Sequence, residues 1–148
     1  FSGAYLRNLG QQADLVDGAA DVVRTLSRRY QMIVLTNGLQ DVQTARIAGS
    51  GLQPFFAGVV ISDEVGFRKP RPEIFLATLD ALGVGAEETL HVGDDLQADV
   101  GGAAPLGIRT AWITRRVRDP EAKLREWEGP APDWTVADLA ELEALVGD

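Results

Sequence analysis

Four short apolar runs punctuate the chain: Met32–Leu35 in QMIVLT, Val59–Ile61 in GVVIS, Leu90–Val92 in TLHVG and Thr110–Ile113 in IRTAWI. Each is rich in β-branched residues and bounded by turn residues, which predicts strands. Within a run the apolar residues are continuous, not alternating, as suits parallel strands covered on both faces. Between the runs the spacing becomes helical. DGAADVVRTLSRRY repeats Val22, Val23 and Leu26 behind Asp17, a plausible N-cap. LQDVQTARIAGSG stops at Gly-Ser-Gly, and PRPEIFLATLDALG opens with prolines and ends at Gly83. LQADVGGAAPLG predicts a weaker helix, loosened by Gly101 and Gly102 and closed by Pro105 and Gly107. DPEAKLREWEG and VADLAELEALVG complete the helices, with DWT as a short edge strand between them.

Strands alternating with helices predict βαβ units, an α/β fold with a parallel sheet. EGPAPD, residues 128–133, reads as a loop and not as a domain boundary. The opening FSGAYLRNLGQQADLV reads as the tail of a helix plus a connector, as if something preceded it.

A chain of 148 residues suits one domain with a real core. The net charge of −8 argues against a nucleic-acid binder, which usually shows a basic face. It does not argue against small anionic substrates, because a bound cation inverts the local field. The absence of cysteine excludes disulfides, thiolate nucleophiles and zinc–thiolate sites, and permits a reducing cytoplasm. No apolar run approaches the roughly 20 residues that span a bilayer, and no basic-then-apolar leader opens the sequence. The expected location is therefore cytoplasmic, with no membrane partner.

In open parallel sheets, ligands sit beyond the carboxyl ends of the strands. Thr36-Asn37-Gly38 follows the first run, and Ser62-Asp63-Glu64 and then Lys69 follow the second. Gly93-Asp94-Asp95 follows the third and TRRVRD the fourth. A hydroxyl, a lysine and acids thus converge on one edge, and each has a task if the ligand is a phosphoryl group. Thr36 can donate its hydroxyl to a phosphoryl oxygen, and the amides of Asn37 and Gly38 can do the same. Lys69 supplies a compact positive charge. Asp94, with Asp95, offers hard oxygens to Mg²⁺. Asp99, four residues past Asp95, lies on the same helical face as a partner or outer ligand. His91, inside a strand, reads as packed or hydrogen-bonded. Arg115, Arg116 and Arg118 read as a solvated loop that could touch an anionic substrate.

Taken in order, these motifs resemble the haloacid dehalogenase-like (HAD) hydrolases, chiefly the capped phosphatases. VLTNG (34–38), VGFRKPRPEIF (65–75) and HVGDDLQADVGGA (91–103) with LGIRTAWI (106–113) look like the second, third and fourth family motifs. LVDGAADVVRTL resembles the helix where the chain returns from cap to core. The resemblance implies a three-layer αβα Rossmann-like core over residues 17–148, with residues 1–16 the end of the cap region. It also implies a Mg²⁺-dependent phosphatase acting on a small phosphorylated metabolite through an aspartyl-phosphate. By the same resemblance Asp94, Asp95 and Asp99 serve the metal, while Thr36, Asn37, Gly38 and Lys69 serve the phosphate, with Thr36 and Lys69 catalytic.

The family nucleophile belongs to an Asp-x-Asp-x-Thr motif, which does not occur in these 148 residues. DLVDG (14–18) has its acids three apart and no strand before it. The expectation is a C-terminal part of a longer protein, incomplete without a central strand between the first and third runs. Such a chain would be inactive alone and open to self-association, or to pairing with the missing N-terminal segment. Two rival readings stand beside this one. A metal-independent 2-haloacid dehalogenase would tend to carry Ser-Asn where Gly93-Asp94 stands. A non-catalytic binding module of the same fold would explain the absent nucleophile without truncation.

Overall fold

In the computed structural model, residues 3–6, 19–37, 51 and 53–146 are described. Six strands form one sheet: β1 (Gly3–Leu6), β2 (Gln31–Thr36), β3 (Gly58–Ile61), β4 (Thr89–Gly93), β5 (Arg109–Ile113) and β6 (Trp134–Val136). Their order is β3-β2-β1-β4-β5-β6, and every pairing is parallel. The four strands expected from apolar runs are all present, and the edge strand anticipated at DWT forms one residue later as β6.

The sheet is covered on both faces, and the side-chain alternation of the strands shows how. Met32 of β2, Leu90 and Val92 of β4 and Ala111 of β5 pack with Val22, Val23 and Leu26 of α1 (Ala19–Ser27). Leu142 of the C-terminal helix Leu139–Val146 joins the same layer. On the opposite face Ile33 and Leu35 of β2 meet Ile74, Phe75, Leu79 and Leu82 of the helix Pro72–Leu82. Two apolar faces per strand therefore appear in the sequence as an unbroken run. Helix Pro72–Leu82 begins with proline at its first position and ends at Gly83, whose φ of 70° is a left-handed cap.

The weak helix after β4 is indeed irregular. Leu96–Val100 is a π turn that passes into the α turn Gly101–Ala103 and the 3₁₀ turn Ala104–Leu106. The short helix Ser62–Val65 after β3 had no counterpart in the sequence reading. The expected helix in LQDVQTARIAGSG, the cap Asp17 and the phosphate-binding Gly38 lie outside the described residues, apart from the turn at Gly51.

The opening segment differs from expectation. Gly3–Leu6, read as part of a helix tail and connector, is a strand, and it takes the central place expected to be empty. Tyr5 aligns with Ile33 of β2 on one side and with His91 of β4 on the other. The reason is hydrogen bonding: a gap there would leave two strand edges unpaired inside the core. Four residues without an acidic side chain close it, so the central strand carries no nucleophile.

Candidate active site at the strand ends

Thr36, Lys69 and Gly93 mark the edge where β2, the β3–α connection and β4 run out. Lys69 lies in the connection between β3 and helix Pro72–Leu82, before a cis peptide bond to Pro70. Its backbone is gripped by the side chain of Asn37: the Lys69 amide donates to Asn37 Oδ1 at 2.9 Å, and Asn37 Nδ2 donates to the Lys69 carbonyl at 3.2 Å. This reciprocal pair fixes a chain segment 32 residues away against the end of β2. The side chain of Asn37 thus positions the lysine, a role the sequence reading missed, having offered only its amide to phosphate. No short-range signal could have revealed it.

Lys69 is buried, at 4% exposure, and its Nζ donates to Asp99 Oδ1 at 2.8 Å. The same oxygen lies 2.8 Å from His91 Nε2, while Asp99 Oδ2 accepts from the Asp95 amide at 3.1 Å. Phe75 closes over His91 edge-to-face, with ring centroids 5.2 Å apart. The four-residue spacing Asp95–Asp99 therefore does bring the two together, through the Asp95 backbone. A Cβ on Gly93 would lie 2.2 Å from Asp99 Cγ, so glycine at the end of β4 is what lets the carboxylate seat there. His91, read from sequence as packed or hydrogen-bonded, is both: it packs against Phe75 and pairs with the Asp99 carboxylate.

Asp94 and Asp95 face outward. Asp95 adopts the N-cap role, its Oδ1 accepting from the Ala98 amide at 2.9 Å. Trp112 Nε1 donates to the Asp94 carbonyl at 3.1 Å, which ties the loop to β5. Both acids line a cleft of about 450 Å³ with Arg116, Val117, Arg118, Asp119 and Lys123. Thr36, fully buried at the end of β2, and Lys69 do not line that cleft. Among the described residues no group of three or more His, Cys, Asp or Glu side chains is placed to hold a metal ion. The three acids thus divide into two exposed carboxylates and one buried anchor for Lys69.

Arg71, beside Lys69, forks onto Glu73 in the first turn of the next helix, at 2.8 and 3.3 Å. That hydrogen bond holds the Glu73 carboxyl below the usual carboxylate range and raises the Arg71 guanidinium. Arg71 is exposed and Glu73 half-buried, so the pair orients the segment more than it stabilises the fold.

Comparison with known proteins bears on the fold and the family. A phosphoserine phosphatase of Thermus thermophilus is 43% identical over 141 residues, 94% of this chain and 53% of that protein. The pyrimidine 5'-nucleotidase YjjG of Escherichia coli is 31% identical over 97% of this chain and 61% of its own length. Among solved structures, the putative HAD-hydrolase YfnB of Bacillus subtilis, in a form bound to magnesium, superposes with a TM-score of 0.81 at 31% identity, covering 95% of this chain and 59% of that one. The chain spans roughly half to three fifths of the length of these relatives. Residues 4–107 match the family described as haloacid dehalogenase-like hydrolase, a stretch that contains Thr36, Lys69, Asp94, Asp95 and Asp99. The chain belongs to the haloacid dehalogenase-like hydrolases.

Proposed function

We propose that this chain forms the greater part of the core of a Mg²⁺-dependent phosphatase for a small phosphomonoester. The carrying observation is the buried Lys69, held by Asp99 at 2.8 Å, beside an exposed Asp94–Asp95 loop at the carboxyl edge of a parallel sheet. A lysine held immobile at such an edge suits a hydrogen bond to a phosphoryl oxygen, while the net positive charge would come from the metal. Two exposed adjacent carboxylates fit Mg²⁺, which takes one or two carboxylates and completes its shell with water and substrate phosphate. Asp94 and Asp95 would hold it. Asp99 would act behind them, through the Asp95 amide and Lys69. When bound, the ion would offset charge on the transferring phosphoryl group. The named activities of the relatives, on phosphoserine and on pyrimidine 5'-nucleotides, share only the phosphomonoester, and that class is what is proposed here.

Thr36 and the amides at residues 37 and 38 would bind the phosphoryl oxygens. The nucleophilic aspartate of an aspartyl-phosphate pathway would come from a strand outside these 148 residues and would take the place that Gly3–Leu6 holds here. Residues 1–16 would then serve as the connector from a cap, and the chain alone would be inactive. The setting proposed is the cytoplasm. No described helix is long and apolar enough to cross a membrane.

The test is phosphate release by the whole protein on a panel of phosphomonoesters, with and without Mg²⁺. Asp94→Asn should lower Mg²⁺-dependent turnover by about 100-fold or more, since it removes one charged ligand. Turnover that survives the substitution would show that the metal sits elsewhere.

A further inference from the structure

The acidic loop after β4 is gripped at one peptide unit. The Asp94 carbonyl accepts from Trp112 Nε1 at 3.1 Å. The amide of that same peptide, which belongs to Asp95, donates to Asp99 Oδ2 at 3.1 Å. One plane is thus held from both ends, by a neutral indole on one side and a buried carboxylate on the other. Because a peptide unit is planar, the two bonds together set ψ of Asp94 and φ of Asp95. They thereby set the directions in which both side chains leave the backbone. We propose that Trp112 is a positioning residue for this loop: its indole N–H fixes the Asp94–Asp95 peptide so that both carboxylates stand at the cleft ready for Mg²⁺. The inference rests on the phosphatase reading for the identity of the ion.

Three observations carry it. First, Trp112 is placed for the task. It is fully buried on β5, and its Cα pairs in register with Gly93, the residue before Asp94. Its N–H can only donate. A phenylalanine would fill most of the space and leave the carbonyl unmet. Second, the donor is fixed before any ligand arrives. The ring packs with Leu96 and Val100, and Val117, Leu124 and Trp127 close the cluster. Trp127 is itself tied, donating to the Pro130 carbonyl at 2.7 Å. Order already present in the free protein lowers the cost of binding. Third, the grip is continuous with the lysine. Asp99 Oδ1 accepts from Lys69 Nζ at 2.8 Å while its Oδ2 accepts from the Asp95 amide. Indole, peptide, carboxylate and ammonium form one hydrogen-bonded chain, in which each bond polarises the next. A cation drawn to Asp94 and Asp95 acts on the middle of that chain and is felt at its indole end.

The test is a Mg²⁺ titration of the isotope-labelled 148-residue chain at constant ionic strength, followed by nuclear magnetic resonance. The indole N–H resonance of Trp112 should move saturably, with the same midpoint as the Asp95 amide. That of Trp127, bonded to Pro130, should stay. Asp94→Asn should carry both midpoints to about tenfold higher Mg²⁺ or beyond, since fewer charged ligands remain. Trp112→Phe should raise the midpoint read at the Asp95 amide about three- to tenfold, the weight of one neutral hydrogen bond. Trp127→Phe trims an indole from the same cluster but not from the peptide. It should leave that midpoint unchanged even where it lowers stability to urea, which separates positioning from mere packing.

A silent Trp112 resonance while the Asp95 amide titrates would overturn the proposal and leave the metal reading standing. So would an unchanged midpoint in Trp112→Phe, or an equal rise in Trp127→Phe. Mg²⁺ that does not bind at the loop, or binding indifferent to Asp94→Asn, would overturn both. Should Trp112→Phe fail to fold, the Trp112 resonance of the unaltered chain decides.

Discussion

Asp99 takes up both of its oxygens with Lys69, His91 and the Asp95 amide, and it does so almost wholly out of water. Removing one member of a buried charged pair leaves the other unsatisfied, at about 3–5 kcal/mol. Asp99→Ala is therefore expected to cost about that much in urea unfolding. The double variant Lys69→Met/Asp99→Leu should recover most of the loss, because neither charge then remains buried. A cost below about 1 kcal/mol for Asp99→Ala would mean that water reaches the pair. At this scale the sequence showed which residue types gather, but not their pairing. Asp99 was read toward the metal because its spacing from Asp95 shows only that the two share a helix face. That its carboxylate turns inward depends on Gly93, Lys69 and His91, which meet it only in the folded sheet.

Elements were more legible, because each depends on local pattern. The strands showed as apolar runs, and the helix Pro72–Leu82 showed its proline start and glycine stop. The irregular stretch after β4 was visible as a glycine pair, yet its cause is tertiary. A Cβ at Gly102 would lie 2.5 Å from Phe75 Cε2 and 3.0 Å from the Pro70 Cα. Gly102→Ala would gain about 1 kcal/mol in helix propensity. The clash falls on a packed ring and on backbone, and overpacking of that kind costs about 1–3 kcal/mol. The net result expected is destabilisation, read as a lower denaturation midpoint with an unchanged slope. A stabilised Gly102→Ala would show that Phe75 can give way.

For the whole molecule, the strand between β2 and β4 is the decisive element. It was expected to be missing because the Asp-x-Asp-x-Thr motif that marks the family's central strand does not occur here, and Gly3–Leu6 is too short to declare itself by periodicity. A proline inside a strand paired on both sides removes a ladder bond and has no edge to face. In the 148-residue chain Ala4→Pro should then cost about 1–3 kcal/mol, and the amides of residues 4–6 should exchange as slowly as those of β4. Fast exchange there would place the tetrapeptide outside the sheet. The buried ion pair has an effect that reaches past stability. Because Asp99 already neutralises Lys69, the strand-end pocket offers a doubly negative guest little net attraction by itself. If Mg²⁺ and phosphate do meet at this edge, each should strengthen the other's hold by the same factor. Phosphate titrations run at rising Mg²⁺ would show that mutual dependence, and two independent affinities would deny it.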